Sequence, residues 1–347
     1  MYNFITLFDK NYLSRGLALY NSLLNNCDTF FLYILALDFE TKNYFENNNK
    51  KNLKIIFLND LELKYLELKS IKNERSWKEY CWTLTPYSIH YAITELKLDS
   101  CTYLDADIFF YSNPKIIFDL ARDKSIIITE HRYTPEYDQT TVSGKYCVQF
   151  VYFKNDFYGL QALNWWKQKC KEWCYSTIEN GKFGDQKYLD DWSTRFENVY
   201  IPIHSGCGVA PWNIQQFNIL NKNNILYVED KITKKIEILI FYHFHNIKLL
   251  QYDNNKIIFH LSEYNINESI KQKIYINYCK LIFDKNISSI NPNIKLKKPS
   301  AFDVYYFIFK DKIKSLFLIK KYHYYHTKIN NKYLEESNKL LTIYQSQ

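Results

Sequence analysis

The sequence predicts an α/β protein: one mostly parallel sheet covered by helices on both faces, followed by a mainly helical C-terminal extension. Three observations carry this expectation. Short β-prone runs alternate with amphipathic helical runs from the N-terminus onward, the pattern of parallel strands joined by crossover helices. An apolar run at 101–104 ends in two carboxylates, Asp105 and Asp107, and a second apolar run follows at 108–111. Finally, 347 residues, 47% apolar and 24% charged, supply core enough for one large domain with an appendage.

Taken in order, residues 2–8 (YNFITLF) alternate as a strand, and Asp9-Lys10-Asn11 turns the chain. From Tyr12 the apolar spacing becomes Leu13, Leu17, Tyr20 and Leu24, one face of a helix. Residues 30–37 and 53–58 read as the second and third strands, and 77–96 as a helix. Asn113-Pro114 opens a short helix to residue 120; 125–129 and 146–153 are further strands. Residues 156–174 form a long helix with Leu160, Leu163, Trp166 and Cys170 on one side. In NGKFGDQKYLDDW (180–192), glycines make a turn and Asp185-Gln186 opens a helix, with Asp185 either its N-cap or a site residue. A glycine-bearing loop, IPIHSGCGVAPWN (201–213), precedes a β-prone run at 236–244.

Beyond residue 250 the character changes. Residues 267–283 read as a helix, IKLKKP as a polar linker, and 300–344 as helical and basic. There Phe302, Tyr306, Phe309, Ile313, Leu316 and Phe317 form a stripe suited either to packing or to an anionic lipid surface. The expected division is therefore 1–250, a ligand-binding catalytic part, and 251–347, the extension.

No apolar run reaches the length of a membrane helix, and the N-terminus reads as a first strand and not as a signal peptide. Eight cysteines without an export signal predict reduced thiols and a cytoplasmic protein, with peripheral contact at the inner membrane face as an option for the basic tail. Cys170 and Cys174, four apart on a helix, read as core thiols and not as a metal clamp. A formal charge of +8 suggests an anionic partner, but Lys, Asn, Ile and Tyr are over-used throughout, and no nucleic-acid motif stands out. Four of the seven glycines, Gly181, Gly184, Gly206 and Gly208, fall in one stretch, where special backbone geometry is expected.

Side chains two apart on an extended segment point the same way, so Asp105 and Asp107 converge. Two carboxylates flanked by apolar residues repel each other unless a cation or a shared proton intervenes, and oxygen ligation suits Mg2+ or Mn2+ with phosphates completing the shell. In parallel sheets ligands bind beyond the carboxyl ends of strands, which brings Phe8-Asp9-Lys10-Asn11 and Leu104-Asp105-Ala106-Asp107 to one crevice. Asp9 and Asn11 are then candidates for a nucleoside contact, or plain turn residues. In YHFHN, His243 and His245 share a face at a strand end, and either could supply an imidazole to the same ion.

With these residues in hand, the chain resembles the GT-A nucleotide-sugar glycosyltransferases, whose sheet is Rossmann-like, and within them the family 8-like group containing glycogenin and lipooligosaccharide galactosyltransferases. The similarity runs from Tyr2 to about Lys248 through FITLFDKNYLSRGLALYNSL, TYLDADIFF, GDQKYLDDW and YHFHNIK, in that order. It implies transfer of a sugar from a nucleotide diphosphate sugar, a UDP-sugar first, to a hydroxyl of a surface glycan or glycolipid, with retention. It also implies Asp105, Asp107 and His243 as ligands of Mn2+ or Mg2+, with His245 as rival. Asp185 and Gln186 would stand beside the anomeric carbon, and Phe8, Asp9, Asn11, Arg75, Asp105, Ala106 and Lys248 would contact the donor. In the family the histidine is followed three positions on by glycine and then by a lysine that meets the pyrophosphate. Here Asn246 holds the glycine position and Lys248 arrives one residue early. The strand expected to carry an Asn and a small residue against the sugar reads YCVQF, with Cys147 and Gln149. A sugar nucleotidyltransferase would carry a glycine-rich loop after the first strand, where FDKNYLSRG has one late glycine. A catalytically silent carbohydrate-binding protein of the same fold would lack donor hydrolysis.

Overall fold

The computed structural model describes residues 1–252, 256–261, 263–283 and 340–344. They divide into two compact units, residues 1–245 with 281–283, and residues 246–280 with 340–344.

The first unit opens with β1 (Tyr2–Phe8), α1 (Leu13–Asn26), β2 (Phe30–Ala36), α2 (Phe39–Asn47) and β3 (Leu53–Phe57). Next come α3 (Leu58–Lys64), α4 (Glu67–Glu74), α5 (Trp77–Thr94), β4 (Ser100–Leu104), β5 (Ile108–Phe110) and α6 (Lys115–Ala121). The chain continues through β6 (Ile126–Glu130), α7 (Thr140–Ser143), β7 (Tyr146–Lys154), α8 (Phe157–Glu172), α9 (Trp192–Arg195) and β8 (Val199–Tyr200). A meander of β9 (Phe217–Lys222), β10 (Ile225–Asp230) and β11 (Ile236–Ile238) leads to β12 (Phe241–His243).

The main sheet has the order β3-β2-β1-β4-β7-β6-β8. β1 pairs parallel with β2 and β4, β2 with β3, and β6 with β8, while β7 runs antiparallel to both its neighbours. The expected mostly parallel sheet is therefore present. Both faces are buried, which is why β1 reads almost wholly apolar: Phe4 packs in the core under α1 and α6, and Ile5 in the core under α5 and α8. α5 begins at a capping box in which Ser76 and Glu79 bond each other's backbone N–H, the reason the helix starts at Trp77.

Two departures from the expected elements have simple causes. The single strand expected at 236–244 is two, because the chain changes partner midway. Ile236–Ile238 pairs with β10, Leu239 N–H still bonds Leu226 (2.8 Å), and from Phe241 the chain pairs with β5. Helices α2, α3 and α4, and the β9-β10 hairpin, carry mixed patterns that periodicity alone did not separate.

The second unit holds β13 (Lys248–Tyr252) and β14 (Lys256–His260), followed by α10 (Glu268–Ile270), a π turn at Lys271–Tyr275 and α11 (Ile276–Ile282). Its last described element is β15 (Leu340–Tyr344), which pairs antiparallel with β14. The helix expected at 267–283 is present, whereas 340–344, expected to be helical, is a strand: its β-prone LLTIY completes a three-stranded antiparallel sheet. The remainder of the basic stripe, from Phe302 to Phe317, lies outside the described residues. Among the described residues no helix is long and apolar enough to cross a membrane.

Candidate active site

β4 ends at Leu104, and the chain turns at Asp105, whose N–H bonds the Gln149 carbonyl of β7 (3.1 Å) while its own carbonyl accepts from Ile108 N–H (3.3 Å). This turn starts β5, a strand too short to stand alone. One edge is held by α1, where Ser22 Oγ accepts from Phe110 N–H (3.1 Å) and Asn26 Nδ2 donates to Phe110 carbonyl (2.9 Å). The other edge pairs with β12, Phe241 opposite Phe110 and His243 opposite Ile108. Phe244 N–H then bonds the Asp107 carbonyl (2.8 Å), so the two acids and the distant imidazole meet by backbone pairing.

His243 Nε2 lies 3.1 Å from Asp107 Oδ1 and 3.8 Å from Asp105 Oδ2, and its Nδ1 lies 2.9 Å from Gln149 Oε1. Gln149 Nε2 in turn bonds Thr129 Oγ1 (3.2 Å), which fixes the amide with its oxygen toward the ring. The imidazole therefore carries hydrogen on Nδ1 and presents Nε2 to the carboxylates. Burial alone would raise the Asp107 carboxyl, but the charge and hydrogen bond of His243, aided by His245 and Arg15, hold it at about 2. Burial pushes Asp105 the other way, to about 6, with His243 opposing and Asp107 adding to the rise. Burial works against protonation of His243 also, yet Asp107 beside it raises the imidazole well above its ordinary value.

This donor set fits a divalent cation. His243 Nε2 faces an oxygen of each carboxylate, and its second ring nitrogen is held by a side-chain amide, as in metal-bound histidines. His245 is exposed, its ring 5.7 Å from that of His243, and its charge helps to lower the Asp107 carboxyl. His243 faces both acids directly.

The glycine loop before β9 clamps this arrangement. Gly206 carbonyl accepts from Ile240 N–H (2.9 Å) and Phe241 N–H (3.3 Å), just ahead of His243. A Cβ at Gly206 would lie 1.8 Å from the Ile238 carbonyl oxygen, and one at Gly208, whose φ is +76°, would lie 2.8 Å from Gln149 Nε2. Gly206→Ala should therefore push β12 off its bonds and cost about 3 kcal/mol, read as a lower denaturant midpoint at unchanged slope. A change below 0.5 kcal/mol would show that the loop gives way freely.

On the other side of Asp105 stands Tyr103, whose hydroxyl bonds the side chains of Thr85 and Asp105. Asp185 is 2% exposed, and its Oδ2 has no hydrogen-bond partner among the described residues. Burial first, and the Asp105 carboxylate second, push its carboxyl up to about 7. It makes no side-chain cap, and the helix expected after it is the single 3-10 turn Gln186–Leu189. Trp166 Nε1 donates to the Asp185 carbonyl (2.9 Å) and fixes the backbone there. Asp190 and Asp191 are paired outward, with Lys187 (2.8 Å) and Arg195.

The remaining expected residues are placed as follows. Asp9 accepts from Asn11 N–H (2.9 Å) and from Trp77 Nε1 (3.2 Å), and Asn11 Nδ2 donates to Asp9 (3.1 Å), which is turn chemistry at the end of β1. Phe8 packs its ring against Gly16, and its carbonyl accepts from Leu37 N–H (3.1 Å). Ala106 likewise buries its methyl in the core with Leu104 and Ile108. Arg75 stands between helices. Its guanidinium donates to the Cys170 and Lys171 carbonyls (both 2.7 Å) and to Thr83, which ties α5 to the C-terminal end of α8, where cations suit the helix dipole. Lys248 is exposed and opens β13 of the second unit. Asn246 adopts φ +62°, so an asparagine meets the left-handed requirement of the position where the resembled family has glycine. Tyr12 and Arg15, not anticipated as site residues, stand near the acids: the Tyr12 hydroxyl is pushed up to about 12 by burial and then by Asp107, and Arg15 lies 4.6 Å over its ring.

A mostly parallel sheet with one reversed strand, a carboxylate pair at the end of β4 and an imidazole returned to it by β12 define a protein of the GT-A fold. The galactosyltransferase LgtC, solved in complex with donor and acceptor sugar analogs, has this fold: it matches over 83% of this chain and 99% of its own, with 11% identity and a TM-score of 0.52. No protein-family profile matches the sequence. The chain is 31% identical over 263 residues to the uncharacterized protein YfnF of Bacillus subtilis strain 168, covering 74% of this chain and 84% of YfnF. YfnD of the same strain is 29% identical over 258 residues, 72% of this chain and 79% of YfnD. This protein belongs to the family of YfnF.

Proposed function

We propose that the chain is a metal-dependent glycosyltransferase of the family 8-like kind, moving a sugar from a nucleoside diphosphate sugar, UDP first, to a hydroxyl of a glycan or glycolipid acceptor with retention. The observation that carries this is the β5-β12 pairing, which sets His243 Nε2 3.1 Å from Asp107 and 3.8 Å from Asp105 at a strand's carboxyl end. Asp105, Asp107 and His243 would hold Mn2+ or Mg2+, and Gln149 keeps the His243 nitrogen free for it. An ion bound there would supply positive charge to the departing diphosphate. Asp185 and Gln186 supply side-chain oxygens against the positive charge that develops at the anomeric carbon. The burial of Asp185 keeps water from screening that interaction. The donor and acceptor analogs held by LgtC support the same substrate classes here.

Thermal unfolding in the presence of nucleoside diphosphate sugars, with and without Mn2+, tests the reading. A matched donor at 100 times its dissociation constant should add about 2.7 kcal/mol of stability, and only with the ion present. No shift with any donor in Mn2+ would overturn it.

A further inference from the structure

The acids and the imidazole share their corner with a sulfur. Cys147 lies on β7 where that strand is irregular: Leu104 of β4 is opposite Phe150, yet on the β6 side the register jumps between Ile128 and Thr129, so that Thr129 is opposite Cys147. The irregularity presents Cys147 and Gln149 together to His243. Cys147 Sγ, an Asp105 oxygen and a His243 nitrogen all lie within 4.8 Å of one another. Cys147 is 3% exposed, so its sulfur is held away from solvent. Among the described residues this is the one group of three histidine, cysteine or acidic side chains whose ligand atoms all lie that close together, and Asp107, 3.1 Å from His243 Nε2, stands outside it.

We infer that Cys147 is a sulfur ligand of an ion held with Asp105 and His243, beside Asp107, and that the site consequently prefers borderline ions such as Co2+ and Zn2+ over Mg2+. The inference rests on the ion-site reading above and deepens it. Magnesium takes oxygen ligands in near-ideal octahedral geometry and gains little from a thiolate, whereas Zn2+ and Co2+ accept sulfur and imidazole in smaller coordination shells. A residue that looks like a substitution in a sugar-contacting strand then belongs to the metal's own shell.

Co2+ titration of the full chain tests this. Wild type should show a sulfur-to-cobalt charge-transfer absorption as the ion binds, absent in Cys147→Ser although Cys147→Ser still binds Co2+ by calorimetry. The substitution should weaken Co2+ and Zn2+ by about 10-fold or more while Mn2+ changes less. Co2+ binding with no charge-transfer band in wild type, or a band that survives in Cys147→Ser, would overturn the sulfur ligand and leave the carboxylate-imidazole site standing. Failure of wild type to bind any divalent ion would overturn both.

Discussion

Asp107→Ala should lower ion-dependent turnover of a nucleoside diphosphate sugar by at least about 100-fold while the protein stays folded, the scale on which a positioned electrostatic contact acts in a water-poor site. Asp107 is 7% exposed and its carboxyl is held at about 2, so it is ionised at any working pH and is the anchor of the charge set. Deleting it leaves His243 with Asp105 at 3.8 Å, too long for a direct hydrogen bond. The fold survives because the imidazole can shed its proton, which burial already favours. Asp105→Ala should behave in the same way. The measurement pairs initial rates across a Mn2+ series with far-ultraviolet dichroism, and turnover unchanged in a folded Asp107→Ala protein would remove the ion from the chemistry.

Asp185→Asn should do two opposite things: raise stability above neutral pH and lower turnover by about 100-fold. The sign follows from the direction of its shift. The folded-state value is about 7 against an ordinary 3.8, so the folded protein holds this proton more tightly than the unfolded chain. Wild type therefore loses stability as pH rises from about 4 through about 7, whereas an amide has no proton to lose. In chelator, where no ion alters the field, the variant should be more stable by roughly 2 to 4 kcal/mol at pH 8.5 and no different below pH 4. Denaturant midpoints across that range measure the difference, and parallel pH profiles for the two proteins would show that Asp185 pays no desolvation cost. A carboxylate kept buried against its own solvation, with Oδ2 unpartnered among the described residues, is what a site residue requires and a core residue avoids.

Some of this was readable from local pattern. β1 falls where the β-prone run YNFITLF places it, although both faces of the strand are covered and the buried residues run on with little alternation. The acids of LDAD declare themselves by charge at the end of an apolar run, and the glycine-rich stretch declared a backbone requirement that Gly206 and Gly208 meet. Gln149 carried no such signal. It stood out only as a departure from the resembled family's sugar-contacting pair, and its partners, His243 and Thr129, lie on other strands. The surroundings of Arg75 and Phe8 are equally invisible in the sequence, because α8 and Gly16, which pack against them, are distant in the chain or set by the helix that follows.

The chain's own pattern settled the long elements β1, β2, β3, α1, α5 and α8, since hydrophobic period and turn chemistry act over a few residues. Which histidine reaches the two acids was decided only on folding. A three-residue strand such as β12 has too little local preference to choose a partner, and its place beside β5 follows from the Gly206 carbonyl, the Ser22 and Asn26 contacts and the core around Phe110 and Phe241 acting together. That cooperative pairing, and not any motif, sets the imidazole of His243 3.1 Å from Asp107.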